Sequence, residues 1–175
     1  LKLSHFNKYK EIAMYSPFTS MPDHSRVWVY QSDRAFTSTD VEAIDQKIKA
    51  FLANWTAHDQ ALLASYEIRY NRFIVLMINE KQAAASGCSI DKSVHFIQNL
   101  EKELNFSLMN RMLFAYKTAG NVSVVNRTIF EEKMEKGEIT ADTIVFNNLV
   151  QSKIDLDTKW EVPLKESWHK ALLEV

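Results

Sequence analysis

The segment FIVLMI, residues 73–78, constrains the fold more than any other feature, because it is the longest apolar run in the chain. It is far shorter than the roughly 20 residues that a membrane-spanning helix needs. A short run rich in β-branched and aromatic residues favours a strand. Because this strand is apolar on both faces, we expect residues 71–80 to lie at the centre of a sheet.

An earlier strand and a helix are predicted upstream. The segment RVWVYQ, residues 26–31, has the β-branched and aromatic composition of a strand. Thr39 and Glu42 then have the spacing of a capping box, in which a hydroxyl and a carboxylate bind free backbone N–H groups. The apolar residues that follow recur at helical spacing. They are Val41, Ile44, Ile48, Phe51, Leu52 and Trp55.

A second helix is predicted to begin near Ser89. Its apolar stripe consists of Ile90, Val94, Ile97, Leu100 and Leu104. Further strands are predicted at residues 61–70 and 108–117. Asn71 and Arg72 form the predicted tip of a hairpin between residues 61–70 and the central strand.

The order of these elements is β-α-β-β-α-β, which predicts an α+β fold with a ferredoxin-like core over residues 26–118. In that core, both helices lie on one face of a four-stranded antiparallel sheet. Residues 1–25 form a predicted N-terminal arm. Residues 119–175 form a predicted C-terminal α/β extension, which packs on the core or takes part in a homodimer.

The extension has its own pattern. Residues 128–136 are predicted to form a short helix that Gly137 ends at the C′ position. Residues 142–150 are a predicted strand, and residues 160–162 a second, shorter one. Pro163 suits the first turn of a last helix, because proline lacks the N–H that is unpaired there.

Charge and cysteine content exclude several kinds of function. The chain has 21 basic and 22 acidic residues and a net charge of −1, so we expect no nucleic-acid partner, which would require a basic excess. One cysteine allows no internal disulfide and no multi-cysteine metal site, and we expect neither a metal nor a cofactor. A lone thiol is typical of a reducing compartment, so the expected location is cytoplasmic. The N-terminal segment LKLSHFNKYKEIAMY lacks the apolar core of a signal peptide.

The three glycines exclude the common phosphate-binding loops. Gly87, Gly120 and Gly137 lie far apart, so neither G-x-x-x-x-G-K-[ST] nor G-x-G-x-x-G can be present. The sheet aromatics Trp28 and Tyr66 are a possible base-stacking surface, but acidic neighbours such as Glu67 make nucleic-acid binding the weaker interpretation.

Several segments resemble a group of uncharacterised bacterial proteins. They are RVWVYQSDRAFT, WTAHDQALLASYEIRYNRFIVLMINE and SGCSIDKSVHFI, with a weaker similarity in DTIVFNNLV and KESWH. The segment SGCSID is the most specific part of the resemblance. Proteins of this group often carry the label "ABC transporter ATPase". Because this chain has no loop that could hold a γ-phosphate, we expect it not to be a P-loop ATPase, and the resemblance implies a family without an activity.

The segment SGCSID, residues 86–91, is the candidate site. At the start of a helix, free N–H groups would stabilise a thiolate at Cys88 or bind an anion. A ligand would contact Ser86, Gly87, Ser89 and Asp91. The structural alternative is a buried Cys88, a positive φ at Gly87, and a helix cap at Ser89 or Asp91.

Three functions follow from these observations. The leading hypothesis is a binding or interaction protein, expected to be a homodimer, that uses SGCSID as a ligand contact. The second is a small thiol enzyme with Cys88 as nucleophile and His58 as base. His95 is about two helical turns from Cys88, or roughly 10 Å, so His58 is the preferred base if the two helices are antiparallel. The third is an apolar-ligand pocket against the sheet, by analogy with dimeric ferredoxin-like proteins.

Overall fold

The structure is a computed structural model that describes residues 15–81 and 83–174. Residues 1–14, most of the predicted N-terminal arm, therefore lie outside the described residues. The strands are β1 (Arg26–Gln31), β2 (Thr56–Ala57), β3 (Gln60–Ala61), β4 (Leu63–Arg69), β5 (Phe73–Asn79), β6 (Leu113–Thr118), β7 (Asn121–Asn126), β8 (Ile144–Phe146) and β9 (Glu161–Pro163). The helices are α1 (Ser38–Ala53), α2 (Gly87–Leu104), α3 (Arg127–Glu135) and α4 (Lys153–Lys159). None of the described helices has the length and apolar composition that crossing a membrane requires.

The first sheet has the antiparallel order β1-β5-β4. The predicted central position of the FIVLMI strand is confirmed, because every residue of β5 is buried. Ile74, Leu76 and Ile78 on one face belong to the core cluster beneath α1 and α2. Phe73, Val75 and Met77 on the other face belong to a second cluster. This alternation follows from the strand period of two residues.

Helix α1 begins two residues earlier than the predicted capping box. Thr37 has an extended backbone and its hydroxyl accepts a hydrogen bond from the N–H of Asp40, at 3.1 Å. The Asp40 carboxylate accepts from the N–H of Thr37 in return, at 2.8 Å. The predicted pair of Thr39 and Glu42 is therefore wrong, because both residues already lie inside the helix.

The predicted four-stranded ferredoxin-like sheet is not confirmed. The fold is α+β with antiparallel sheets, but the strand predicted at residues 108–117 becomes β6 in a separate sheet, of order β7-β6-β8-β9. Strand β6 pairs with β7 across the two-residue turn Ala119–Gly120, where both residues have positive φ. Such a turn matches the twist of a hairpin, so local pairing is favoured. The outer edge of β1 is instead covered by Gln151, whose carbonyl accepts from the N–H of Val27 at 3.0 Å.

The C-terminal part covers the second face of the first sheet. Phe146 and Trp160 pack on Phe73, with ring centroids 4.7 and 5.0 Å apart. Leu156 of α4 belongs to the same buried cluster. Side chains from both halves of the chain thus form one apolar layer between the two sheets.

The remaining C-terminal predictions have mixed outcomes. The helix end at Gly137 is confirmed: this residue has a φ of +71°, and Glu138 N–H donates to Lys133 O at 2.9 Å, as in a Schellman motif. The strand predicted at residues 142–150 shrinks to β8, because Val150 N–H turns back to the carbonyl of Asn147. The helix predicted from Pro163 is wrong. Pro163 ends β9, and two 3₁₀ helices, Leu164–Glu166 and Trp168–Glu174, follow it.

Candidate functional site

A groove lies between the end of α1 and the outer face of α2. We call it the α1–α2 groove; it has a volume of about 660 Å³ and is lined by Phe51, Asn54, Cys88, Asp91, Lys92, His95, Phe96 and Asn99. Its floor contains a stacked aromatic pair, Phe51 and Phe96, with ring centroids 4.4 Å apart and an interplanar angle of 8°. The other lining residues carry polar or thiol groups. The groove therefore offers an apolar surface with hydrogen-bonding groups around it.

The local sequence explains why Cys88 faces this groove. Ser86 is the N-cap of α2, and its hydroxyl accepts from the N–H of Ser89 at 3.1 Å. Ser89 is fully buried, and its hydroxyl accepts from the N–H of Ser86 at 2.8 Å. This reciprocal cap fixes the helix start at Gly87 and leaves Cys88 in the first turn. Because Ser89 faces the core, Cys88 is exposed.

The structure therefore corrects the structural alternative for SGCSID. Cys88 is exposed and not buried. Gly87 has no positive φ, and no atom lies within 4 Å of the position that a Cβ would occupy there, so the backbone does not require glycine. The cap is Ser86, with Ser89 as its reciprocal partner, because the helix begins earlier than predicted.

The predicted ligand contacts separate into two groups. Cys88 and Asp91 line the groove, whereas Ser86, Gly87 and Ser89 do not. The Ser86 and Ser89 side chains serve the cap described above. Within SGCSID, two of the named residues therefore face a common surface.

His95, which the sequence hypothesis set aside in favour of His58, and Lys92, which it did not name, also line the groove. His95 Nδ1 donates to the carbonyl oxygen of Asp91 at 2.8 Å, because a carbonyl oxygen can only accept, and no hydrogen bond to a described residue involves Nε2. Lys92 is exposed and forms no ion pair with any residue in the described part of the chain. Both side chains are therefore free to meet a ligand.

A sequence signal for this surface does exist. Cys88, Lys92, His95 and Asn99 follow one another at intervals of four, three and four residues. That spacing places them on one helix face, beside the apolar stripe of α2. The contribution of α1, through Phe51 and Asn54, depends on how the two helices pack and has no signal in the sequence.

The predicted base, His58, lies elsewhere. It is exposed at the tip of the small β2–β3 hairpin, with a φ of +49°. It is not among the residues that line the groove. Among the described residues, no hydrogen bond joins His58 to Cys88. Its role as a base stays a prediction, and the structure places His95 in the groove with the thiol.

The sheet face proposed for an apolar ligand is filled with side chains. Phe73, Phe146 and Trp160 contact one another there, and Tyr70 packs against them with its ring centroid 5.6 Å from that of Phe146. The apolar-pocket hypothesis thus has no support from this face.

A second polar constellation joins the other ends of the two helices. Arg34 donates to the Asp40 carboxylate through two nitrogens, at 2.6 and 3.2 Å, and to the carbonyl oxygen of Leu104 at 2.9 Å. The hydrogen bond from Arg34 holds the pKa of the Asp40 carboxyl well below its usual range, and Thr37 lowers it further. The network links the start of α1 to the end of α2, which indicates a structural role.

Within the residues that the structure covers, no three His, Cys, Asp or Glu side chains lie close enough to hold a metal ion. Comparison with known proteins gives no match to a family model, to a curated protein or to a solved structure. The resemblance described from the sequence therefore stays a prediction.

Proposed function

We propose that this protein is a cytoplasmic binding protein whose ligand or partner occupies the α1–α2 groove. The observation that carries the proposal is the placement of Cys88, Lys92 and His95 around the stacked rings of Phe51 and Phe96. Binding sites combine an apolar surface with a few polar groups that fix orientation. An exposed free thiol is compatible with a reducing compartment.

The groove favours an amphipathic ligand. A planar apolar group would pack on Phe51 and Phe96, because aromatic faces prefer stacked or edge-on contacts. A carboxylate or carbonyl oxygen would accept a hydrogen bond from the Lys92 ammonium. The Asn99 amide can donate and accept on the same side of α2. Together these groups favour a planar ligand whose acidic group lies at Lys92 and away from the carboxylate of Asp91, which also lines the groove.

The test is a titration with phenylacetate, monitored by backbone amide chemical shifts. We expect changes confined to residues around the groove. Lys92→Gln should weaken binding several-fold, because it removes a charge-assisted hydrogen bond. Lys102→Gln is the matched control, since Lys102 is exposed on the same helix but does not line the groove. Shifts elsewhere on the surface, or equal binding by both variants, would contradict the proposal.

A thiol enzyme is the second candidate, favoured by the exposure of Cys88 in the first turn of α2. The rate of Cys88 alkylation against pH, measured for the native protein and in urea, separates the two functions. A binding protein predicts similar rates in both conditions, with phenylacetate slowing the native reaction. A native rate many times faster than that in urea would favour the enzyme. His95→Gln and His58→Gln would then identify the base.

We also propose that β1, β4 and β5 with α1 and α2 form a ferredoxin-like unit whose fourth strand has moved to the second sheet. The strand order β1-β5-β4 supports this interpretation, because it is the order of the first three strands in that fold. The family suggested by SGCSID is proposed on the sequence resemblance alone.

A further inference from the structure

Strand β7 is an open edge of the four-stranded sheet. The outer edge of β1 is covered by Gln151, and that of β4 by Ser16, whose N–H donates to Ala64 O at 3.1 Å. Strand β9 has three residues and ends in Pro163, which cannot donate to a neighbour. Strand β7 has six residues and pairs with β6 alone among the described strands.

The features that usually protect an edge strand are missing from β7. Its sequence, NVSVVN, contains no charged residue and no proline. Its register with β6 is continuous from Asn121 to Asn126, so there is no bulge. Charges, prolines and bulges are the devices that keep natural sheet edges from pairing with other chains. An edge without any of them is open to a further strand.

The free backbone groups of β7 belong to Val122 and Val124. The turn Ala119–Gly120 closes on the pair Thr118–Asn121, which in a two-residue hairpin is hydrogen-bonded. Hydrogen-bonded and non-hydrogen-bonded pairs alternate along an antiparallel ladder. Ser123 therefore directs its backbone groups to β6, whereas those of Val122 and Val124 point outward.

We propose that a second copy of this chain docks on β7, with the two β7 strands antiparallel about a two-fold axis at Ser123. In this register Val122 pairs with Val124 of the second copy, and each such pair exchanges both N–H···O bonds. Two Ser123 side chains meet on the axis. The edge is neutral, so identical copies approach without like-charge repulsion, and valine pairs directly opposite one another are favourable.

The surface area that the two strands can bury limits the expected stability of the dimer. Pairing of two six-residue strands buries less than the roughly 1,000 Å² expected of a stable interface. We therefore expect a weak, transient dimer, to be sought over protein concentrations from about 1 μM to about 1 mM. This inference does not rest on the α1–α2 groove, which is formed by α1 and α2 alone.

Sedimentation velocity over that concentration range tests the proposal. The variants to compare carry a positive or a negative charge at Ser123, the residue on the two-fold axis. Ser123→Lys and Ser123→Glu should each lose the dimer, because like charges would face each other about 5 Å apart. An equal mixture of the two variants should restore it. Gln46→Lys and Gln46→Glu are the matched controls on the exposed side of α1 and should dimerise as the unmodified protein does.

Amide hydrogen exchange on the unmodified protein gives a second measurement that does not depend on how well the variants fold. Exchange at Val122 and Val124 should slow as concentration rises, while exchange at Ser123 and Val125 should not change. A protein that stays monomeric at every concentration overturns the proposal. So does a dimer that is insensitive to both Ser123 variants, since its interface would lie elsewhere.

Discussion

The indole Nε1 of Trp55 donates a hydrogen bond of 2.8 Å to the carbonyl oxygen of Ser89. Trp55 follows α1 directly and is only 1% exposed, and Ser89 lies in the first turn of α2. The bond therefore joins the end of one helix to the start of the next. It fixes the relative position of Phe51 and Cys88, and so helps to form the α1–α2 groove.

Replacing Trp55 with phenylalanine should lower the free energy of unfolding by about 2 kcal/mol, because it removes a buried hydrogen bond and leaves a small cavity. Urea unfolding at neutral pH measures the change. Trp168→Phe is the control, because Trp168 is 42% exposed. Equal effects at both positions would show that the Trp55–Ser89 bond has no special part in joining the helices.

The Asp40 carboxyl predicts a loss of stability in acid. Its pKa is lowered in the folded protein, mainly by the hydrogen bond from Arg34. The folded state therefore binds this proton less readily than the unfolded state, whose carboxyl titrates near pH 3.9. Its contribution to stability is present above that pH and is lost as the pH falls.

The variant Asp40→Asn tests the direction of this pH dependence of stability. At pH 7 the variant should be less stable than the unmodified protein by about 1 kcal/mol, the usual cost of losing a helix cap. The difference should shrink as the pH falls below about 4. Asp142→Asn is the control, because the pair of Asp142 with Lys165 is exposed. A difference that is constant from pH 7 to pH 3 would contradict the prediction.

His169 predicts a loss of stability in a second pH range, which lies above that of Asp40. Its ring is 1% exposed, its Nδ1 lies 2.7 Å from the Ser167 hydroxyl, and burial lowers its pKa to about 4. Between pH 6.5 and pH 4 the unfolded state takes up a proton that the folded state does not. Stability should therefore fall over this range as the pH is lowered, by on the order of 3 kcal/mol.

His169→Asn should remove most of this pH dependence, whatever its effect on stability at pH 7. The measurement is the slope of unfolding free energy against pH between 6.5 and 4. Asp40→Asn serves as the comparison, because its effect lies at lower pH. If the slope is the same in His169→Asn, then His169 is not the group responsible.

The glycines allow a paired test of backbone conformation. Gly87 has a helical backbone with open space around it, so Gly87→Ala should raise the free energy of unfolding by about 0.4 to 1 kcal/mol. Gly137 has a φ of +71°, so Gly137→Ala should lower it by about 1 to 2 kcal/mol. Thermal unfolding of both variants checks the sign. Destabilisation by Gly87→Ala would indicate a constraint in SGCSID that the structure does not contain.

The sequence was most informative where a residue's role depends on near neighbours. The apolar run at residues 73–78 predicted a central strand, and all of β5 is buried between two layers. Gly137 predicted the end of α3, because a positive φ follows from local geometry alone. The start of α1 was harder to predict, because two residue pairs satisfy the same short capping-box pattern. Thr37 and Asp40 form the box, and Thr39 and Glu42 do not.

The sequence by itself determined β1, β4, β5 and β6, the two long helices and the placement of Cys88 near the start of α2, because periodicity and capping act over a few residues. It did not indicate β7 or α4. Only the tertiary structure decided that the other edge of β6, opposite β7, pairs with β8 rather than with β1. It also decided that Phe51 of α1 and its C-cap Asn54 line the same groove as Lys92 and His95 of α2. Residues far apart in the chain determine which strand pairs with an available sheet edge. They also determine the angle at which two helices pack. Such choices depend on the whole core, and a local pattern cannot encode them.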